Sequence, residues 1–82
     1  MDELVFPPYA RAAMADDALV EEDIYLVIGD YDERLDYDDG RTRYERYLED
    51  GRCVIVVLEW DGVTVVTAWE DKRRRRRQTR RR

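Results

Sequence analysis

The stretch YDERLDYDDGRTRYERYLEDGRCVIVVLEWDGVTVVTAWE, residues 31–70, decides how this chain folds. Three Asp-Gly pairs punctuate it, Asp39-Gly40, Asp50-Gly51 and Asp61-Gly62, at a regular spacing of 11 residues. Between them the side chains alternate with a period of two, as in strands whose successive residues point to opposite faces. Asp-Gly between strand-like runs signals a tight type I′ hairpin, because both central residues of that turn need positive φ. The spacing predicts a four-stranded antiparallel meander over about 31–38, 41–49, 52–60 and 63–70.

Two-residue loops fix the register and therefore the faces. Tyr37 is then expected opposite Thr42, Leu35 opposite Tyr44 and Glu33 opposite Arg46. Across the second turn Leu48 faces Cys53, Arg46 faces Ile55 and Tyr44 faces Val57. Across the third, Ile55 faces Ala68 and Val57 faces Val66. One side of the sheet carries Tyr31, Leu35, Tyr37, Tyr44, Leu48, Cys53, Ile55, Val57, Val66 and Ala68, with Glu33–Arg46 as a cross-strand charge pair. The other side is divided. Its first two strands show Asp32, Arg34, Asp36, Arg41, Arg43, Glu45 and Tyr47, and its last two show Val54, Val56, Leu58, Trp60, Val63, Val65, Thr67 and Trp69. That apolar half needs cover. Residues 3–6 or the start of the C-terminal tail can fold across it, a partner can sit on it, or a bulge can slip the register. Large apolar patches on small proteins mark interaction sites. Val54, Val56, Leu58, Trp60, Val63, Val65 and Trp69 are accordingly the candidate interface for a second copy or another protein's helix.

The residues before the sheet read as two short helices packed on its apolar floor. Leu4-Val5-Phe6 suits a short first strand, and Pro7-Pro8 ends it at a helix first turn, where proline is tolerated. Tyr9 to about Ala15 places Ala10, Ala13 and Met14 on one side. Val20, Ile24, Val27 and Ile28 form the stripe of a second helix, with Glu21, Glu22 and Asp23 in its first turn and Gly29 at its left-handed end. The fold class expected is α+β: a single domain over residues 1–71, then a disordered tail over 72–82.

Charge divides the same way. Residues 1–71 hold all 20 acidic residues and six arginines, a net of −14, whereas residues 72–82 hold Lys72 and eight arginines, a net of +9. Such blocks are commonly interaction arms. Arg73, Arg74, Arg75, Arg76 and Arg77 are candidates for contact with nucleic acid or the ribosome, through phosphates rather than stacked bases, since no aromatic interrupts the run. The tail can equally fold back onto the acidic body. Cys53 is the only cysteine and histidine is absent, so neither an internal disulfide nor a metal site is expected, and no cofactor is implied. The longest apolar run, Val54–Leu58, is too short to span a membrane, and the acidic start lacks the basic region of a secretory signal. A reducing cytoplasm is the expected setting.

Several segments follow in an order that resembles a family of small bacterial domains grouped with the RelE/ParE toxin superfamily. They are Tyr9-Ala10-Arg11 through Met14, Val20-Glu21-Glu22-Asp23-Ile24, Asp39-Gly40-Arg41 with Arg43-Tyr44, and Val65-Val66-Thr67-Ala68-Trp69. The likeness spans roughly residues 5–70. It implies two helices leading into an antiparallel sheet, messenger-RNA cleavage or gyrase poisoning among its members, and neutralisation by a small antitoxin. Tyr9 stands where the family usually has histidine, and Ala13 and Asp17 where it often has basic residues, so a catalytic role resting on that histidine does not carry over.

Cleavage of RNA by its own 2′-hydroxyl needs a base, a group that stabilises charge on phosphate, and an acid for the leaving oxygen. Tyr9, Arg11, Arg43, Glu45 and Tyr47 are the candidates, the last three alternating along one strand. The competing assignment is plain surface ion pairing. Three functions stand: a binding protein with weak or no catalysis acting through an apolar sheet face and a basic tail, a ribosome-dependent endoribonuclease toxin, and an oligomeric structural module.

Overall fold

The computed structural model describes residues 3–74. Two helices, α1 (Pro8–Asp16) and α2 (Glu21–Gly29), precede four strands, β1 (Glu33–Asp36), β2 (Thr42–Tyr47), β3 (Cys53–Leu58) and β4 (Val65–Glu70). The strands form one antiparallel sheet in the order β1-β2-β3-β4, so the molecule is a two-layer α+β fold with its helices on one face. No helix among the described residues is long and apolar enough to cross a membrane.

Both helices start as their sequences lead one to expect. Pro7 and Pro8 open α1, and the carboxylate of Asp23 accepts the Val20 N–H (3.0 Å) at the head of α2. Their ends differ from expectation. Gly29 closes α2 from within the helix, and the left-handed position is taken at the end of α1 by Ala18, at φ 57°. Leu19 and Ala18 bond back to the carbonyls of Met14 and Ala15, which completes that turn. The expected first strand is reduced to a single parallel bridge, Val5 to Thr64.

The meander stands, but its register is displaced. Glu33 lies opposite Glu45, Leu35 opposite Arg43, Arg43 opposite Val57 and Glu45 opposite Ile55. Each of these pairings is one residue from the register expected of two-residue turns. Among the described residues Ala18 is the only non-glycine at positive φ, which excludes type I′ turns at Asp39-Gly40 and Asp50-Gly51. Both turns are three-residue loops, in which Tyr37 and Leu48 accept the N–H of Gly40 and Gly51 and donate to Arg41 and Arg52. The glycines sit at φ 94°, the left-handed residue that follows a type I turn in such loops. The aspartates hold this geometry, Asp39 Oδ1 accepting the Arg41 N–H (3.0 Å) and Asp50 Oδ1 the Arg52 N–H (3.1 Å). At the third turn Leu58 does face Val65 as expected, but a shift between Val57 and Leu58 then sets Val56 opposite Ala68 and Val57 opposite Thr67.

A displacement of one residue exchanges faces. Val54, Val56, Leu58 and Val65, expected on an uncovered partner surface, are buried beneath the helices with Ala10, Met14, Ile24 and Val27. That corrects the partner-interface assignment for these four residues: their apolar half is covered within the chain. Cys53, Ile55 and Val57, expected under the helices, occupy the opposite, open face together with Thr67 and Trp69. Tyr44, Leu48 and Ala68 remain on the helix side, as expected. Of the other interface candidates, Val63 is half-buried and Trp60 stands 79% exposed in the last turn. The expected Glu33–Arg46 pair is absent, because Arg46 instead bonds the carboxylate (2.9 Å) and carbonyl (2.7 Å) of Asp30.

Candidate functional site

Every residue of β3 is buried, Cys53, Ile55 and Val57 included, although no helix covers the open face. Side chains of the neighbouring strands form the cover. The register sets Tyr47 beside Cys53, Glu45 beside Ile55 and Ile55 beside Trp69, with Arg43 beside Val57 and Val57 beside Thr67. Long cationic side chains can lay their stems on apolar surface, and Arg43 lies across this floor with its Nε buried and its side chain only 27% exposed. Its guanidinium lies 5.9 Å from the Trp69 ring centre and 2.6 Å from a Glu45 oxygen.

The start of the basic tail completes the cover. Lys72–Arg74 form one turn of 3₁₀ helix, anchored by the Asp71 N–H donating to the Cys53 carbonyl (2.8 Å). Arg74 returns to the sheet, donating to the second oxygen of Glu45 (2.6 Å) and to Asp71 (3.0 Å). Asp17, at the end of α1, accepts the Glu70 N–H (2.8 Å) and meets Lys72 Nζ at 3.4 Å. Residues 72–74 thus fold back onto the acidic body. Arg75, Arg76 and Arg77, also candidates for nucleic-acid contact, lie outside the described residues.

These contacts set the local acid–base properties. Glu45, and after it Asp71, hold the Arg74 guanidinium charged far beyond any working pH. Hydrogen bonding to Tyr37 raises the Arg43 pKa despite burial, with Glu45 adding to the effect. Burial pushes the Cys53 thiol up, which keeps it protonated and unreactive. The Glu70 N–H, and less strongly Lys72, hold Asp17 below the usual carboxylate range.

The candidate catalytic residues are divided by the sheet. Arg43, Glu45 and Tyr47 share the open face, as the alternation along β2 leads one to expect. Tyr9 and Arg11 belong to α1, on the other layer, where Tyr9 is exposed and Arg11 pairs with Glu21 (2.6 Å) and rests on Phe6. Sequence reasoning overlooked Arg74, Asp71 and Trp69 as members of the Glu45 neighbourhood. The one available signal was Asp71, the last acid before nine cations. Arg43, Ile55, Trp69, Glu70, Asp71, Lys72 and Arg73 line a shallow cleft of about 430 Å³. No group of three or more metal-ligating side chains comes together among the described residues.

The fold and this face define a small two-layer α+β domain with a charged, aromatic-edged sheet surface. No family model, curated protein or solved structure matches the chain.

Proposed function

We propose that the chain is a small binding protein of RelE/ParE-like kind, with weak or no catalysis, that takes single-stranded RNA on its open sheet face and basic arm. The observation that carries this reading is the state of Glu45. One of its oxygens is held by Arg43 and the other by Arg74, each at 2.6 Å. A general base must be free to accept a proton from its substrate. Glu45 would have to give up an ion pair first, in a side chain only 17% exposed. The same surroundings suit binding. Arg43, Lys72 and Arg73 share a cleft with Trp69, and cations beside an aromatic ring are what a single strand uses for its phosphates and bases. The arm's nine cations begin there, while the rest of the chain, at a net of −14, repels phosphate.

A second reading, the ribosome-dependent endoribonuclease, is favoured by the shared face of Arg43, Glu45 and Tyr47. One set of measurements separates the two. Labelled oligouridine is titrated with the full chain over a salt series, and the RNA is then run on a denaturing gel. Binding is expected to weaken steeply with salt, and joint replacement of Arg75, Arg76 and Arg77 by Gln should lower the log–log slope by about 2. The RNA should stay intact. Unchanged binding by that variant would refute the role of the arm. Cleavage on ribosomes that disappears with Arg43→Ala would establish the second reading instead.

A further inference from the structure

The two edges of the sheet are finished in different ways. On β4 the edge is closed: the Val5 N–H donates to Val63 O (2.8 Å), Val65 N–H donates to Val5 O (2.9 Å), and the Asp17 carboxylate takes the Glu70 N–H. On β1 all four residues, Glu33–Asp36, are exposed, and Leu35 is 53% open to solvent. The Tyr37 N–H points inwards, to the carbonyl of Arg41 just before β2. Antiparallel pairing alternates, so Arg34 and Asp36 direct their main-chain groups outwards. A bare edge invites another strand, and proteins commonly blunt one with charged side chains, which repel a second copy where like charges would face each other. On β1 the sign alternates instead.

We infer that β1 is a self-pairing edge, to which a second copy of this chain adds antiparallel with Arg34 opposite the partner's Asp36. Only residues whose main-chain groups point outwards can form the hydrogen-bonded pairs, which restricts the register to Arg34 and Asp36. Setting Arg34 against its own counterpart brings guanidiniums together, and setting Asp36 against its own brings carboxylates together. Arg34 against the partner's Asp36 makes two opposite-charge pairs by symmetry, with Leu35 meeting the partner's Leu35 on the two-fold axis. The ends of the strand agree with this register. Asp32 would otherwise confront the partner's Asp38, but its carboxylate is turned into β2, where it accepts the Tyr47 N–H (2.9 Å). Within one chain Arg34 meets Asp36 (3.2 Å) and lies over the Tyr44 ring (5.6 Å), and Asp36 also accepts the Thr42 hydroxyl (3.2 Å). The ion pair is exposed and is traded at little cost, while the other two contacts can stay.

The product is one continuous eight-stranded sheet, with all four helices on one side and both open faces on the other. Any ligand of the open face then meets two copies of it. The pairing itself needs no ligand and stands apart from the RNA reading. A four-residue edge buries less than the roughly 1,000 Å² of a stable interface, so a dissociation constant on the order of 10⁻⁴ M is expected.

Sedimentation of the full chain up to about 1 mM measures this association. Arg34→Asp and Asp36→Arg should each weaken it by about tenfold or more, and the two together should restore it, because opposite charges again face each other. A second measurement covers variants that disturb the edge itself. Leu35→Cys should cross-link under mild oxidation much faster than Glu22→Cys on the exposed side of α2, and buried Cys53 should take no part. The inference is overturned if the charge exchange fails to restore association, or if the two cysteines cross-link alike. It is equally overturned if the chain is monomeric throughout, which would leave the edge to a strand from a different protein.

Discussion

Replacing Ala18 by Gly should raise the melting temperature by about 2–8 °C, and the structure supplies each step of that figure. Ala18 holds φ 57°, one position beyond the last capping residue of α1, while the Leu19 N–H reaches Met14 O (2.9 Å) and the Ala18 N–H reaches Ala15 O (3.1 Å). This is the paired bonding of a helix that ends on a left-handed residue, a position usually given to glycine. A Cβ in that conformation costs about 1–2 kcal/mol. Glycine returns about 0.5–1 kcal/mol of that through the greater freedom of the unfolded chain. The net gain is about 0.5–1 kcal/mol, and a domain of this size moves by about 4–8 °C for each kcal/mol. Ala18 is exposed, so no packing is lost with its methyl group. The turn also has a functional consequence, since it delivers Asp17 to the Glu70 N–H and Lys72 at the root of the basic arm. Thermal melts by circular dichroism, paired with urea titrations, measure the effect. The urea midpoint should rise with an unchanged m-value. A lower melting temperature would show that Ala18 is not left-handed in solution and would refute the reasoning.

Two further outcomes follow from the turns and the carboxylates. Gly40 and Gly62 both have positive φ, 94° and 77°, but a Cβ on Gly40 would meet Trp60 Cβ at 3.2 Å whereas one on Gly62 meets nothing within 4 Å. Gly40→Ala should therefore cost about 1–2 kcal/mol and Gly62→Ala less, and equal losses in urea titrations would contradict the placement of Trp60. Asp17 is held below its ordinary pKa of 3.8 chiefly by the Glu70 N–H, Asp61 by the Thr64 hydroxyl, and Asp71, against burial, by Arg74. A depressed folded pKa gives stability that is whole above the unfolded value and is lost as pH falls through the folded one. The urea midpoint should hold from pH 7 down to about pH 4 and fall below it, less steeply in Asp17→Asn. A decline already complete by pH 5 would exclude these carboxylates as its cause.

What could be read along the chain was whatever depends on one segment at a time. The apolar stripe of α2 and three evenly spaced Asp-Gly pairs imply two helices followed by four strands, and those elements are present. Relations within a strand survived too: Arg43, Glu45 and Tyr47 share a face whatever lies beside them, because alternation alone decides it. The order of the strands survived as well, but the register between them did not, apart from Leu58 opposite Val65. Asp-Gly fits a two-residue turn with both residues left-handed, and it fits a three-residue loop in which only glycine is. Here Asp39 and Asp50 select the second by accepting the N–H two residues further on. Hydrophobicity could not arbitrate, since all six residues of β3 are buried and β1 is exposed along its whole length. Nor does anything in a run of arginines mark Arg74 as the one that returns 29 positions to Glu45.

The open face then has a property that neither its sequence nor its fold class implies. Its apolar floor, Cys53, Ile55 and Val57, is dry because Arg43, Glu45, Trp69 and Arg74 lie across or around it, so the groups available to a ligand are the groups that shield the core. A phosphate that drew Arg74 from Glu45 would uncover apolar surface, at about 25 cal/mol for each Å² exposed, unless the ligand covered that surface itself. A bare anion cannot do so. A nucleotide can, with its base against Trp69 and its phosphate on the arm. Chloride or inorganic phosphate should consequently bind this face poorly, whereas a short oligonucleotide gains from the cation and the covered floor together. That coupling of shielding to recognition is a physical reason to look for a ligand with both a charged and a flat apolar part.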